Sequence, residues 1–171
     1  MSVFDSIIML GYIVSVVTGD HDIPDLPNLP ENTFSVSKLL DYHPETEKTY
    51  WLAPKRKKEV EFVLDLGCKK AVNIVELVNT PKDNPEDRSM GEFKVSLSDS
   101  SDGPWEEVVG WTLEDSRKET DHLPVKKFPF KEKKATFVKF NQISYYGYGG
   151  GLQYFAVNLR KSGDRLLSSV N

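Results

Sequence analysis

The stretch EFKVSLSDSSDGPW, residues 92–105, decides how the chain folds. Phe93, Val95 and Leu97 alternate with Glu92, Lys94, Ser96 and Ser98, the period-two pattern of a strand with one buried and one wet face. The pattern stops at Ser100-Ser101-Asp102-Gly103-Pro104, where Asp-Gly tolerates the positive φ of a hairpin tip. The same alternation runs through EVEFVLD at 59–65, with Val60, Phe62 and Leu64 facing one way. Residues 72–78 are apolar enough to be buried on both faces. Strands over 137–143 and 154–159 complete the set, the latter with Phe155, Val157 and Leu159 in phase. Turn chemistry parts them at Pro81-Lys82-Asp83-Asn84-Pro85 and at Gly147-Tyr148-Gly149-Gly150-Gly151. Past the N-terminal segment no window of a dozen residues carries a convincing helical period, and there is no internal repeat. Short strands at this spacing specify an all-β sandwich from about Thr33 to Leu159, with little helix.

Composition narrows the function. The 171 residues carry 22 basic and 26 acidic side chains, a net charge of −4, so there is no global positive field for nucleic acid. The length fits one domain. One cysteine, Cys68, excludes an intramolecular disulfide and a multi-cysteine zinc site. Following Gly67 at a strand end, it is expected to be buried as a small hydrophobe. Residues 7–17 form an apolar run too short to span a bilayer, which needs about 20 residues. The run matches the core of a signal peptide over 1–19, although Asp5 stands in the n-region without a basic residue. An N-terminal strand or buried helix is the alternative. Residues 20–32 form a Pro-rich lead-in, with Pro24, Pro27 and Pro30. Residues 160–171 lose all alternation and read as a flexible tail. Export implies a secreted, extracellular protein, and N-glycosylation sequons are absent.

Four blocks, in order, then resemble the discoidin, or coagulation factor 5/8 type C, family. They are Ser37-Lys38-Leu39-Leu40-Asp41 with Thr49-Tyr50-Trp51; Phe62-Val63-Leu64-Asp65-Leu66-Gly67; Phe93 to Trp105; and Phe137-Val138-Lys139-Phe140 through Gly151-Leu152-Gln153-Tyr154. The resemblance implies a galactose-binding-like jelly-roll sandwich. It also implies an extracellular, non-enzymatic module that recognises carbohydrate on the cell surface or matrix through loops at one end. The alternative is an adhesion or matrix protein binding a protein partner or an anionic phospholipid. Many members close the domain with a disulfide that this chain cannot form. Sugar-binding relatives hold a structural calcium beside the opening loop. Asp41 and Thr49 match that loop, but Tyr154 stands where the last strand is expected to supply a Glu. Calcium favours six to eight hard oxygen donors, so that loss weakens the site.

By the same resemblance the binding loops are 41–45, 79–89 and 145–148. Tyr146 or Tyr148 would offer an aromatic face to a sugar ring, with His43, Asn84 and Arg88 addressing its hydroxyls. The scaffold reading stands beside this one: Asp87-Arg88 forms an ion pair that pins its loop, and Tyr145 or Tyr146 belongs to the core. The basic run Lys55-Arg56-Lys57-Lys58, with Lys126-Lys127 and 131–134, reads as solvated strand edges or as a patch for sulfated glycans or anionic lipid. Trp51, Trp105 and Trp111 are expected between the sheets as scaffold, and Gly149-Gly150-Gly151 to let backbone segments approach closely. No catalytic signature is present: no nucleophile elbow, zinc helix or phosphate loop. The adjacent Glu106 and Glu107 point to opposite faces of their strand.

Overall fold

The computed structural model describes residues 15–18, 34–40, 50–82, 87–118 and 123–161. Strand β1 is Ser15–Thr18, and a 3-10 turn, Val36–Leu40, buries Val36 and Leu39. There follow β2 (Trp51–Leu52), β3 (Val60–Asn79), β4 (Arg88–Met90), β5 (Glu92–Ser98), β6 (Glu106–Thr112), β7 (Lys126–Gln142), β8 (Tyr145–Gly147) and β9 (Gly151–Asn158). Pairing is antiparallel throughout, in the order β2-β9-β3-β7-β5-β6, with β1 on β3 and β4 on β8. The all-β sandwich expected from the alternation is the fold.

Two long strands build both layers. The first half of β3 pairs Val60 with Gln142 and Asp65 with Phe137, while its second half pairs Ile74 with Pro129 and Leu77 with Lys126. Register shifts between Asp65 and Lys70 and between Val72 and Ile74 bend the pair, as bulges do. One layer is therefore β1, the start of β3, the end of β7, β5 and β6. The other is β2, β9, the end of β3 and the start of β7. Rings bridge the layers. Phe140 stacks on Phe62 at 5.0 Å and on Phe93 at 5.5 Å in its own layer. It meets Phe155 edge-on at 5.4 Å and Trp51 at 6.0 Å from the facing layer. All five rings are buried.

Several expectations are corrected by these positions. Only Trp51 of the three tryptophans lies in the core. Trp105 is half-buried, with the Lys139 ammonium 4.8 Å from its ring centroid, and Trp111 is 57% exposed, because both sit on β6 or its approach, at a sheet edge. Cys68 is exposed, because the shift between Asp65 and Lys70 throws it out of the ladder. The short strands expected at 59–65, 72–78 and 137–143 are parts of the two continuous strands. Residues 15–18 of the expected export segment pair as a strand with Val63, Leu64 and Asp65; 1–14 and 19–33 lie outside the described residues. Of the tail expected over 160–171, residues 160 and 161 are described. Arg160 exchanges backbone bonds of 2.8 Å with the Asn73 amide and donates to buried Glu76 at 2.5 Å; 162–171 lie outside the described residues.

Phe140→Ala removes a ring that four other aromatics touch and is expected to destabilise the domain by about 3–5 kcal/mol. Urea unfolding followed by far-UV circular dichroism checks this, and a loss below about 1 kcal/mol contradicts the assigned hub.

Candidate functional site

One end of the sandwich gathers the loops. The start of β3 and the ends of β7 and β6 point there, and β4 pairs with β8 across it: Arg88 with Gly147, Ser89 with Tyr146, Met90 with Tyr145. Two of the three expected binding loops, the one ending at 89 and the one at 145–148, are thus joined in one ribbon. The glycine-rich return after β8 is the seam. Ala53 N–H donates to Gly150 O at 3.0 Å, Arg56 N–H to Tyr148 O at 2.8 Å, and Ser89 N–H to Gly149 O at 3.1 Å. A Cβ on Gly150 would overlap Gln142 Oε1, and one on Gly147, at φ +70°, would overlap Asp87 O. The close backbone approach expected of this run is what the glycines permit.

Beneath the ribbon lies a buried polar lattice. Asn79 donates to Ser89 Oγ and Met90 O, both at 3.1 Å, and its Oδ1 accepts from the Thr80 and Met90 N–H groups at 2.9 Å. Ser116 Oγ lies 2.9 Å from Ser89 Oγ and donates to Thr80 O at 2.7 Å. Each buried polar group that finds a partner here avoids a desolvation cost of roughly 1–3 kcal/mol. The lattice therefore fixes the segment after β6 against the ribbon.

Arg88 is corrected from a sugar ligand to scaffold. It is wholly buried, and its Nη1 donates to Ala53 O. Its position inside a strand, under the glycine seam, turns the guanidinium inward. The expected ion pair at this loop exists with a different arginine. Arg117 grips the Asp115 carboxylate through Nε at 2.8 Å and Nη2 at 2.7 Å, and reaches Asp87 through Nη1 at 2.9 Å. The hydrogen bond from Arg117 holds the Asp115 carboxyl below its ordinary value, and the Asp115 bond in turn raises Arg117. Asp115 lies two residues from Arg117 in sequence, but Asp87, thirty residues away, is brought to it only by the fold.

Tyr146 is half-buried and donates its hydroxyl to Leu113 O at 3.1 Å. Tyr148 is different. It is 44% exposed, with Lys55 Nζ 5.3 Å and Arg56 Cζ 5.8 Å from its ring centroid. Arg56 adopts φ +59°, a left-handed conformation uncommon outside glycine, and from there it meets Tyr148 both by backbone bond and by guanidinium. His43 and Asn84 lie outside the described residues.

Asp41 and Thr49, the expected calcium ligands, lie outside the described residues as well. Tyr154, at the place of the expected Glu, is 4% exposed and packs with Val78 and Ala156 in an apolar cluster. Among the described residues no three acidic, histidine or cysteine side chains cluster to hold a metal.

Neither a protein-family model nor a curated protein sequence matches the chain. Solved structures do. A pectin-binding carbohydrate-binding module superposes with TM-score 0.60 at 18% identity, over 89% of this chain and 94% of that one. The CBM32-5 module of CpGH89 from Clostridium perfringens, in complex with GalNAc-β-1,3-galactose, gives TM-score 0.59 at 19% identity, over 83% and 91%. Chitosan-binding module 1 of a chitosanase/glucanase from Paenibacillus sp. IK-5 gives 0.58 at 19% identity, over 74% and 86%. The likeness is one of fold, the galactose-binding-like sandwich.

Because the Asp115 carboxyl is depressed in the folded state, its contribution to stability is present above the unfolded value of about 4 and lost as pH falls below it. Asp115→Asn is therefore expected to lower stability at pH 7 while shrinking the difference from the parent protein between about pH 4 and pH 2. Thermal melts across that range check the sign.

Proposed function

We propose that the chain is a non-catalytic carbohydrate-binding module that takes a sugar at the loop end, with Tyr148 as the platform and Lys55 and Arg56 as its flanking donors. The observation that carries this reading is a partly exposed tyrosine ring beside two cations, held on a glycine-seamed ribbon above a rigid polar lattice. A pyranose offers an apolar C–H face to such a ring and hydroxyls to the cations, and large aromatics bring contact area at low entropic cost. The solved neighbours described as binding chitosan, pectin or a GalNAc-galactose disaccharide support it. Catalysis gains no support from the site: the titratable groups around Tyr148 are cations, and the nearby carboxylates Asp87 and Asp115 are engaged by Arg117. By the discoidin resemblance we infer an extracellular setting, with a cell-surface or matrix glycan as partner. The basic run 55–58 favours an anionic phospholipid as the second reading, because its side chains are exposed and two of them, Lys55 and Arg56, border the same tyrosine.

Affinity electrophoresis through gels cast with pectin, chitosan, galactan or heparin tests the proposal. Retardation by at least one polysaccharide is expected, and Tyr148→Ala should weaken it about tenfold, the equivalent of roughly 1.4 kcal/mol of lost ring contact. No retardation in any gel, with retention on phosphatidylserine vesicles that falls with salt, would instead favour the lipid reading. EDTA is expected to leave retardation unchanged, since Tyr154 stands where the family's calcium site would take a carboxylate; loss on EDTA would point to a metal in the Asp41–Thr49 segment.

A further inference from the structure

A second aromatic surface lies on the flank of the sandwich, apart from the loop end. In β6, Val109 pairs with Val95 and Trp111 with Phe93. Val95 and Phe93 are core residues, so alternation puts Trp111 on the inward face of its layer. It is nevertheless 57% exposed. The cause is a difference in width: one layer continues past β7 through β5 and β6, whereas the other ends at the start of β7. The inward face of β6 therefore overhangs. Trp111 leans on Phe128 of β7, ring centroids 5.9 Å apart and planes tilted by 54°, and Phe128 packs edge-on against Phe93 at 5.4 Å. The two edges bound an open cleft of about 610 Å³, lined by Val108, Trp111, Lys126, Lys127, Phe128 and Pro129 among others.

We propose that this flank cleft is a second glycan site, which takes one acidic pyranose of a polysaccharide chain, its ring against Trp111 and its carboxylate or sulfate on Lys126, with Lys127, on the other face of β7, adding positive charge at the rim. The inference rests on the carbohydrate-binding reading above but places sugar on a different face of the molecule. Three observations select this occupant. The volume lies in the range of small-ligand clefts, roughly 300–1,000 Å³. Two lysines stand at the cleft, Lys126 in phase with Phe128 and half-buried, and among the described residues neither has a carboxylate partner. Pro129 sits on the open edge of β7 and removes a ladder donor there, which disfavours a partner strand adding to that edge. Free backbone groups along both edges remain to meet sugar hydroxyls.

The test uses the full chain as wild type, Trp111→Ala, Lys126→Gln/Lys127→Gln and Tyr148→Ala, in gels with polygalacturonate (carboxylate), heparin (sulfate) or neutral galactan. Wild type is expected to bind at least one acidic polysaccharide. Trp111→Ala and the double lysine variant should each lose about tenfold on that polysaccharide, while galactan retention is unchanged. The same polysaccharide should also reduce acrylamide quenching of tryptophan fluorescence in wild type, and Trp111→Ala should remove that protection, since the remaining Trp105 and Trp51 lie outside the cleft. Urea midpoints matching wild type confirm that the substitutions spare the fold. Acidic-glycan binding that survives both flank variants but falls in Tyr148→Ala overturns this site and leaves the loop-end reading standing. Wild type that binds no polysaccharide overturns both, and phosphatidylserine retention abolished by Trp111→Ala in that case assigns the flank to membranes.

Discussion

The pairing of β3 with β7 is the constraint on which the rest of the molecule depends. These two strands run together through both layers, so the fold is one ladder doubled over on itself. The doubling brings Phe62 and Phe140, neighbours in register, face to face with Phe155 and Trp51 from the other layer. Burying such rings stabilises by roughly 2–3 kcal/mol each, and the edge-on and stacked geometries add to that. The bulges near Lys70 and Asn73 are what let a continuous ladder turn the corner. A straight pair of that length would leave one half of its apolar face in water.

Rigidity at the loop end comes from polar rather than apolar order. Asn79, Thr80, Ser89 and Ser116 satisfy one another in a place closed to water, and Arg88 fills the space under the glycine seam. Half-satisfied groups at such a depth would be costly, so the lattice holds as a unit or not at all. Arg117 adds an outer clamp between Asp87 and Asp115. A surface that recognises sugar gains from such a frame, because the ordering entropy of the loop is lost on folding rather than on binding.

The strands were largely legible because their alternation is clean at 59–65 and 92–98, and the hairpin tip at Asp102-Gly103 follows turn chemistry, with Gly103 at φ +90°. Strand length was not legible, since a bulge interrupts period two without ending the strand. Nor does a residue's own chemistry say whether its strand is central or at an edge. That is why Trp51 and Trp111 read alike in sequence yet differ between complete burial and 57% exposure. Arg88 reads as a loop ligand because arginine is seldom wholly buried, and only the seam above it explains the exception. Of the five expected sugar contacts, Tyr148 keeps an exposed face, Tyr146 is half-buried, Arg88 is wholly buried, and His43 and Asn84 lie outside the described residues.

Cys68 has a practical side. It is an exposed thiol at the corner of β3, and the half-strand from Val60 to Leu66 separates it from the ribbon that carries Tyr148 by roughly 20 Å at strand rise. A maleimide linker attached there would tether every copy to a sensor chip or bead in one orientation, with the tyrosine end pointing into the flowing sample. As the sole cysteine of the chain, it would need no engineered handle.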